Sequence, residues 1–167
     1  GLGAQNTLFV GPGFGSQPEV VLEGSLTVDN ALAIVRAPEI TGTGTIISRG
    51  AVIFDRTSSV SPSIVNEALT AFNARLDFRS IRNEGTVEQR GDIFFDFGSE
   101  IVNNGTWKVE SGITIGEVDS FPSTAFDNNG TFQGNSSFDS AIRARFNNNG
   151  TVLADNFARF TFYNALT

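Results

Sequence analysis

The chain has 167 residues, 40% of them apolar and 17% charged, with a formal net charge of −7. Eleven Lys and Arg against eighteen Asp and Glu leave no basic stripe to displace counterions from phosphates, which argues against nucleic acid and against an anionic membrane surface. Cys, His and Met are absent, which excludes thiol chemistry, disulfides, zinc sites built on Cys or His, and every catalytic triad that needs an imidazole.

The length suits one domain over residues 1–167, and no apolar run approaches the roughly 18 residues of a membrane-spanning helix. Eighteen glycines, sixteen phenylalanines and many Asn, Ser and Thr point to an all-β, turn-rich chain. Residues 1–19 open with "GLGAQNTLFVGPGFG", read as an N-terminal segment or edge coil. A chain beginning at Gly1 suggests a leader already removed.

From about residue 20 a motif recurs. The glycines of the Gly-Thr and Gly-Ser steps, Gly24, Gly44, Gly85, Gly105, Gly130 and Gly150, are separated by 20, 41, 20, 25 and 20 residues. A period near 20, once doubled and once stretched, is the signature of a solenoid. Other columns align on that ruler. Val20, Ile40, Ile81, Ile101, Phe126, Phe146 and Leu166 stand four residues before a glycine step, and Leu26, Ile46, Val87, Trp107, Phe132 and Val152 two after. Columns eight and ten residues after are apolar except for Ser140, and their alternation is that of strands. The predicted fold is a parallel β-helix, right-handed by the general rule for parallel crossovers, with Ile40, Ile81, Ile101, Phe126, Phe146 and Leu166 as one core stack.

The motif itself reads "IRNEGTV", "IVNNGTW", "FDNNGTF" and "FNNNGTV". Asn83, Asn103, Asn128 and Asn148 form one column, with Gly85, Gly105, Gly130 and Gly150 two residues on. The expectation is a ladder of amides bonded coil to coil, with Asn in left-handed backbone and Gly where a side chain would clash. Five residues after the glycine, Asp29 falls beside Arg49 and Arg90 beside Glu110, a charged column that pins register.

Two stretches interrupt the repeat. Residues 55–80 lack the Gly-Thr step, and Val65, Leu69, Phe72 and Leu76 follow helical spacing after Ser61-Pro62, which predicts an insertion or long excursion carrying a short helix on the flank; the alternative is a degenerate extra coil containing "LDFRSI". Residues 116–125 read as a five-residue bulge of one turn.

Polysaccharide-cleaving β-helices need converging carboxylates; Asp96, Glu117 and Asp92 are the candidates here, and they form no dense cluster. The expectation is therefore a chain that is not an enzyme and has no metal or cofactor. Arg90–Asp92 spells an integrin-binding tripeptide, explained by charge pairing. Asn104, Asn129, Asn149 and Asn135 begin Asn-X-Ser/Thr sequons, of which Asn104, Asn129 and Asn149 are explained by the turn. An ice-binding face would need paired threonine rows. Thr45, Thr86, Thr106, Thr131 and Thr151 supply one row, but Ile47, Glu88, Lys108, Gln133 and Leu153 replace the second.

The Asn-Asn-Gly-Thr turns, from about residue 20 to the end, resemble the repeat regions of filamentous-haemagglutinin-like adhesins and autotransporter passenger domains. That resemblance implies an extracellular or cell-surface scaffold or adhesin, self-associating or meeting a surface glycan, and it carries over no catalytic residue. A carbohydrate-binding or carbohydrate-cleaving β-helix and a phage or adhesin fibre fragment are the alternatives. Leu8, Phe9, Phe160, Phe162 and Tyr163 mark apolar ends with no polar cap in the sequence, and the expectation is that another copy covers them.

Overall fold

Alternation sets which residues fill the core. In Leu32–Val35, Thr45–Ser48, Ala51–Phe54, Ser63–Asn66, Thr86–Gln89, Thr106–Val109 and Thr131–Gly134, half-buried and fully buried positions alternate strictly. This is the period of a pleated strand with one face inward. The computed structural model describes residues 7–10, 20–29, 32–37, 39–55, 57, 59–73, 76–110, 112–117, 125–135, 139–155 and 157–163.

All pairings among the described strands are parallel, and each strand lies on its equivalent one coil away. The result is an all-β solenoid of about six turns of roughly 20 residues. Three flat faces wrap the core. The first is an eight-stranded sheet from Thr7–Val10 through Leu32–Val35, Ala51–Phe54, Leu69–Phe72, Thr86–Gln89, Thr106–Val109 and Thr131–Gly134 to Thr151–Ala154. The second runs from Val20–Val21 to Arg159–Phe162, and the third from Ser25–Val28 to Arg145–Asn148. The long strands Leu76–Asn83 and Ile93–Asn103 cross the corner between these two faces and join them into one 13-stranded sheet.

The core is a set of vertical files. On the third face Ile46, Ile64, Ile81, Ile101, Phe126 and Phe146 stand one above another. On the first, Val52, Thr70, Val87, Trp107, Phe132 and Val152 do so. Aromatic contacts link the files from Phe54–Phe72 at 5.6 Å, through Trp107–Phe126 at 5.1 Å, to Phe146–Phe162 at 4.9 Å. Trp107 is fully buried, and its indole N–H donates to Gln89 Oε1 at 2.8 Å, satisfying both polar groups inside the core. A Cβ at Gly134 would meet the far end of the Phe160 ring and the Ala158 methyl, so the Phe160 ring packs into the space that this glycine leaves.

Of the two readings of 55–80 the structure has the extra coil and not the helical insertion, and no helix occurs among the described residues. Ser59–Val60, Ser63–Asn66, Leu69–Phe72 and Leu76–Asn83 continue the three faces. Val60, Pro62, Ile64 and Asn66 are buried in alternation with Ser59, Ser61, Ser63 and Val65, a period of two that overrides the helical spacing of the larger side chains. The coils here are short, with steps of 18 from Arg49 to Glu67 and 17 from Asn66 to Asn83, and Ala68 takes the place of the turn glycine.

The ruler also slips in the first coils. Gly24 and Gly44 sit at a different corner from Gly85, and the file that contains Gly85 begins instead with Gly50 and Ala68. Ile40 is buried but pairs with Val60, so Ile46, not Ile40, shares a file with Ile81. Val87, Ile93 and Ile101 are buried and Phe94 is half-buried on the outer side, with its ring edge against Gly116, so the register holds where the motif is regular. The other residues of the long step between Asn103 and Asn128, 118–124, and Leu166 lie outside the described residues.

Phe146 touches Phe126, Phe132 and Phe162 and is fully buried. Phe146→Ala is expected to cost about 3–5 kcal/mol in denaturant unfolding, because neighbours fixed by the sheet cannot collapse into the void. A loss below about 1 kcal/mol would show that the file is not close-packed there.

Candidate functional site

The feature that marks this chain is a pair of amide ladders at the corner between the third and first faces. The inner one is buried. Asn66 Nδ2 donates to Asn83 Oδ1 at 2.6 Å, Asn83 to Asn103 at 2.7 Å, Asn103 to Asn128 at 2.7 Å, and Asn128 to Asn148 at 2.7 Å. The second proton of each amide goes to the backbone carbonyl of Thr86, Thr106, Thr131 or Thr151 in the coil above. Each side chain thus joins its own coil to the next both through side chain and through backbone. A buried amide left without these partners would cost about 1–3 kcal/mol, so the ladder enforces identity at every rung.

The outer ladder is exposed. Asn104 Nδ2 donates to Glu84 Oε1 at 2.8 Å, Asn129 to Asn104 at 3.1 Å, and Asn149 to Asn129 at 3.2 Å. It donates toward lower-numbered coils, whereas the inner ladder donates toward higher-numbered ones, so the two files of amide dipoles oppose one another.

Sequence reasoning found Asn83, Asn103, Asn128 and Asn148 but missed the rung that starts the ladder. Asn66 is fully buried, and its Oδ1 accepts from Thr70 Oγ1 at 3.0 Å; below it Ser48 donates to the carbonyls of Gly50 and Leu69. The signal was "IVNE" at 64–67 against "IRNE" at 81–84, hidden by the absence of a glycine. Left-handed backbone does not explain the turn. Among the described residues the one non-glycine with positive φ is Phe157. Gly85, Gly105, Gly130 and Gly150 are required by proximity instead, since a Cβ on each would collide with the carbonyl oxygen of the turn residue one coil below.

The charged pairs form, though at two corners. Asp29–Arg49 at 3.8 Å and Arg49–Glu67 at 2.9 Å border the ladder, while Arg90–Glu110 at 2.5 Å lies at the opposite end of the first face, where Arg36–Asp55 also sits. Donation of a hydrogen bond to Glu110 raises the pKa of Arg90 above its ordinary value, as donation to Glu67 does for Arg49. Asp92, the third residue of the integrin-like tripeptide, accepts the backbone N–H of Thr114 at 2.6 Å, and so serves the corner. The pairing expected between Asp96 and Glu117 is one residue out of step, because Glu117 lies opposite Phe95. Thr86, Thr106, Thr131 and Thr151 share a row, but Thr45 belongs to another face. No cluster of three or more Asp, Glu, His or Cys suited to a metal occurs among the described residues.

The second notable region is the high-numbered edge. Thr151–Ala154 and Arg159–Phe162 are the last strands of their sheets. Val152, Phe160 and Phe162 continue the core files but are only partly buried. Phe157 is 95% exposed and Tyr163, under the Arg143 guanidinium at 5.3 Å, 62%. Asn148 turns its Nδ2 to the carbonyl of Gly150 at 3.3 Å instead of to another amide. Leu8 and Phe9, expected at the other end, lie in the strand Thr7–Val10, which pairs with Leu32–Val35.

These features define a parallel β-solenoid with a buried asparagine ladder. No family model, no curated protein and no solved structure matches the chain.

Two substitutions separate the ladders. Asn103→Ala takes the donor from buried Asn128 Oδ1 and leaves one proton of Asn83 Nδ2 without an acceptor, while the other keeps the Thr106 carbonyl; it is expected to cost about 1–3 kcal/mol, whereas Asn104→Ala on the exposed file should cost under about 1 kcal/mol. Equal losses in chemical denaturation would show that burial does not set the strength of these amides. Gly105→Ala should be more damaging than either, with loss of cooperative unfolding as the readout, because its Cβ meets backbone rather than a movable side chain.

Proposed function

We propose that this chain is an extracellular structural or adhesive element that assembles end to end, its high-numbered edge receiving a coil from a second copy. The observation that carries the reading is that edge. Thr151 and Asp155 donate their backbone N–H groups to Gly130 and Gly134 in the coil below. Alternation then turns the N–H and C=O groups of Val152 and Ala154 away from the molecule, as a template for another parallel strand. Beside that template, Val152, Phe160 and Phe162 present half-covered apolar surface continuous with the core. An incoming coil would pair with the first and bury the second. The glycine-, asparagine- and phenylalanine-rich, turn-rich composition and the likeness of the turns to bacterial surface β-helices support an extracellular setting and a scaffold role.

Light scattering over a wide dilution range tests this. The weight-average mass is expected to rise with concentration above the 17.8 kDa of one chain. Ala154→Pro removes an N–H that points off the edge, breaks no bond among the described residues, and should hold the protein monomeric with its unfolding midpoint unchanged. A monodisperse 17.8 kDa species at every concentration would overturn the reading.

A further inference from the structure

Three Asn-Gly pairs, Asn104-Gly105, Asn129-Gly130 and Asn149-Gly150, occupy the same turn in successive coils. Asn-Gly is the dipeptide most open to spontaneous deamidation, since glycine places no side chain in the way of ring closure. The glycine backbone nitrogen attacks the asparagine Cγ, a new N–Cγ bond forms, the Cγ–Nδ2 bond breaks and ammonia leaves with the nitrogen's proton. Water then opens the cyclic imide at either C–N bond, giving aspartate or isoaspartate.

In the folded coils both reacting groups are held. The attacking nitrogens donate to the coil below, Gly105 to Asn83 O at 3.1 Å, Gly130 to Asn103 O at 2.8 Å and Gly150 to Asn128 O at 2.9 Å. The leaving amides are bound in the outer ladder to Glu84, Asn104 and Asn129. What differs is the coil above. The turn at Asn104 is clasped from that side, because Asn129 and Gly130 donate to Asn103 O, Thr131 donates to Gly105 O, and Asn129 Nδ2 donates to Asn104 Oδ1. The turn at Asn129 is clasped likewise by Asn149, Gly150 and Thr151. Among the described residues nothing holds the turn at Asn149 in that way, and the bonds described for it lie on the side of the coil below.

We infer that Asn149 is a deamidation site of the folded protein, and that stacking shields Asn129 and Asn104. The reaction proceeds through the locally opened turn, so its rate follows the population of that state, which is greatest at an edge coil. Isoaspartate at Asn149 lengthens the backbone by one methylene at the position where Gly150 already touches the coil below, and it converts the top of the outer ladder into a carboxylate. The product is a marked, altered edge.

Lys108, Arg143, Arg145 and Arg159 separate the three pairs into different tryptic peptides, so one digest reads all three. The protein is incubated in mildly alkaline buffer, folded and in urea, and each peptide is followed by mass spectrometry with fragmentation that locates the site. Asn149 is expected to react at least about tenfold faster than Asn104 and Asn129 in the dilute folded protein, and all three at similar rates in urea. Equal rates at the three sites in dilute folded protein, fast or slow, overturn the inference, as does a faster Asn104 or Asn129. Slowing of Asn149 on concentration would report a second copy covering the edge, and the order in dilute solution is decided independently of that.

Discussion

The closeness of successive coils at the ladder corner is the constraint on which the rest of the structure depends. The carbonyl of each turn residue accepts the N–H of the threonine one coil above, and that bond brings the backbone so near that the residue beside it has no room for a side chain. Glycine is therefore demanded at Gly105, Gly130 and Gly150 by contact, not by an unusual dihedral angle. The same spacing puts each asparagine amide within reach of the next. Once the corner is stacked, a side chain that is both donor and acceptor can repeat indefinitely, and few side chains other than an amide can do this without leaving a buried group unsatisfied.

That corner acts as the spine against which the apolar files are hung. Changes in core composition along the axis, aliphatic around Ile46 and Ile64 and aromatic around Trp107, Phe126 and Phe146, are tolerated because each coil needs to fit only its two neighbours. Coil length varies for the same reason. Steps of 17 and 25 residues coexist in one ladder with the asparagines still in register.

Stacking also explains why an edge coil differs from an interior one of nearly identical sequence. Every interior rung has partners above and below, and the last described coil has them on one side. The chemistry of an edge, its readiness to accept a strand and its exposure to slow modification, is therefore set by position in the stack. Identical Asn-Asn-Gly-Thr motifs are not equivalent sites.

The amino-acid order by itself determined the solenoid, the parallel stacking of coils near 20 residues long, the asparagine file from Asn83 to Asn148 and the inward files around Ile101 and Phe146, because each of these is written as a local repeat. It misled between residues 20 and 80. There Ala68 stands in for the glycine beside Asn66, Ser48 stands in for the asparagine, and shortened coils break the period, so that Gly24 and Gly44 passed for members of a file they do not join. Only the tertiary structure decided those placements, since register between coils is chosen by pairing and by burial of alternate residues, neither of which is a property of any one segment. It also decided that Gln89 meets the Trp107 indole, that Glu117 lies opposite Phe95, and that Asn149 has a neighbour below and none described above. Those are relations across coils, and a sequence read along the chain does not contain them.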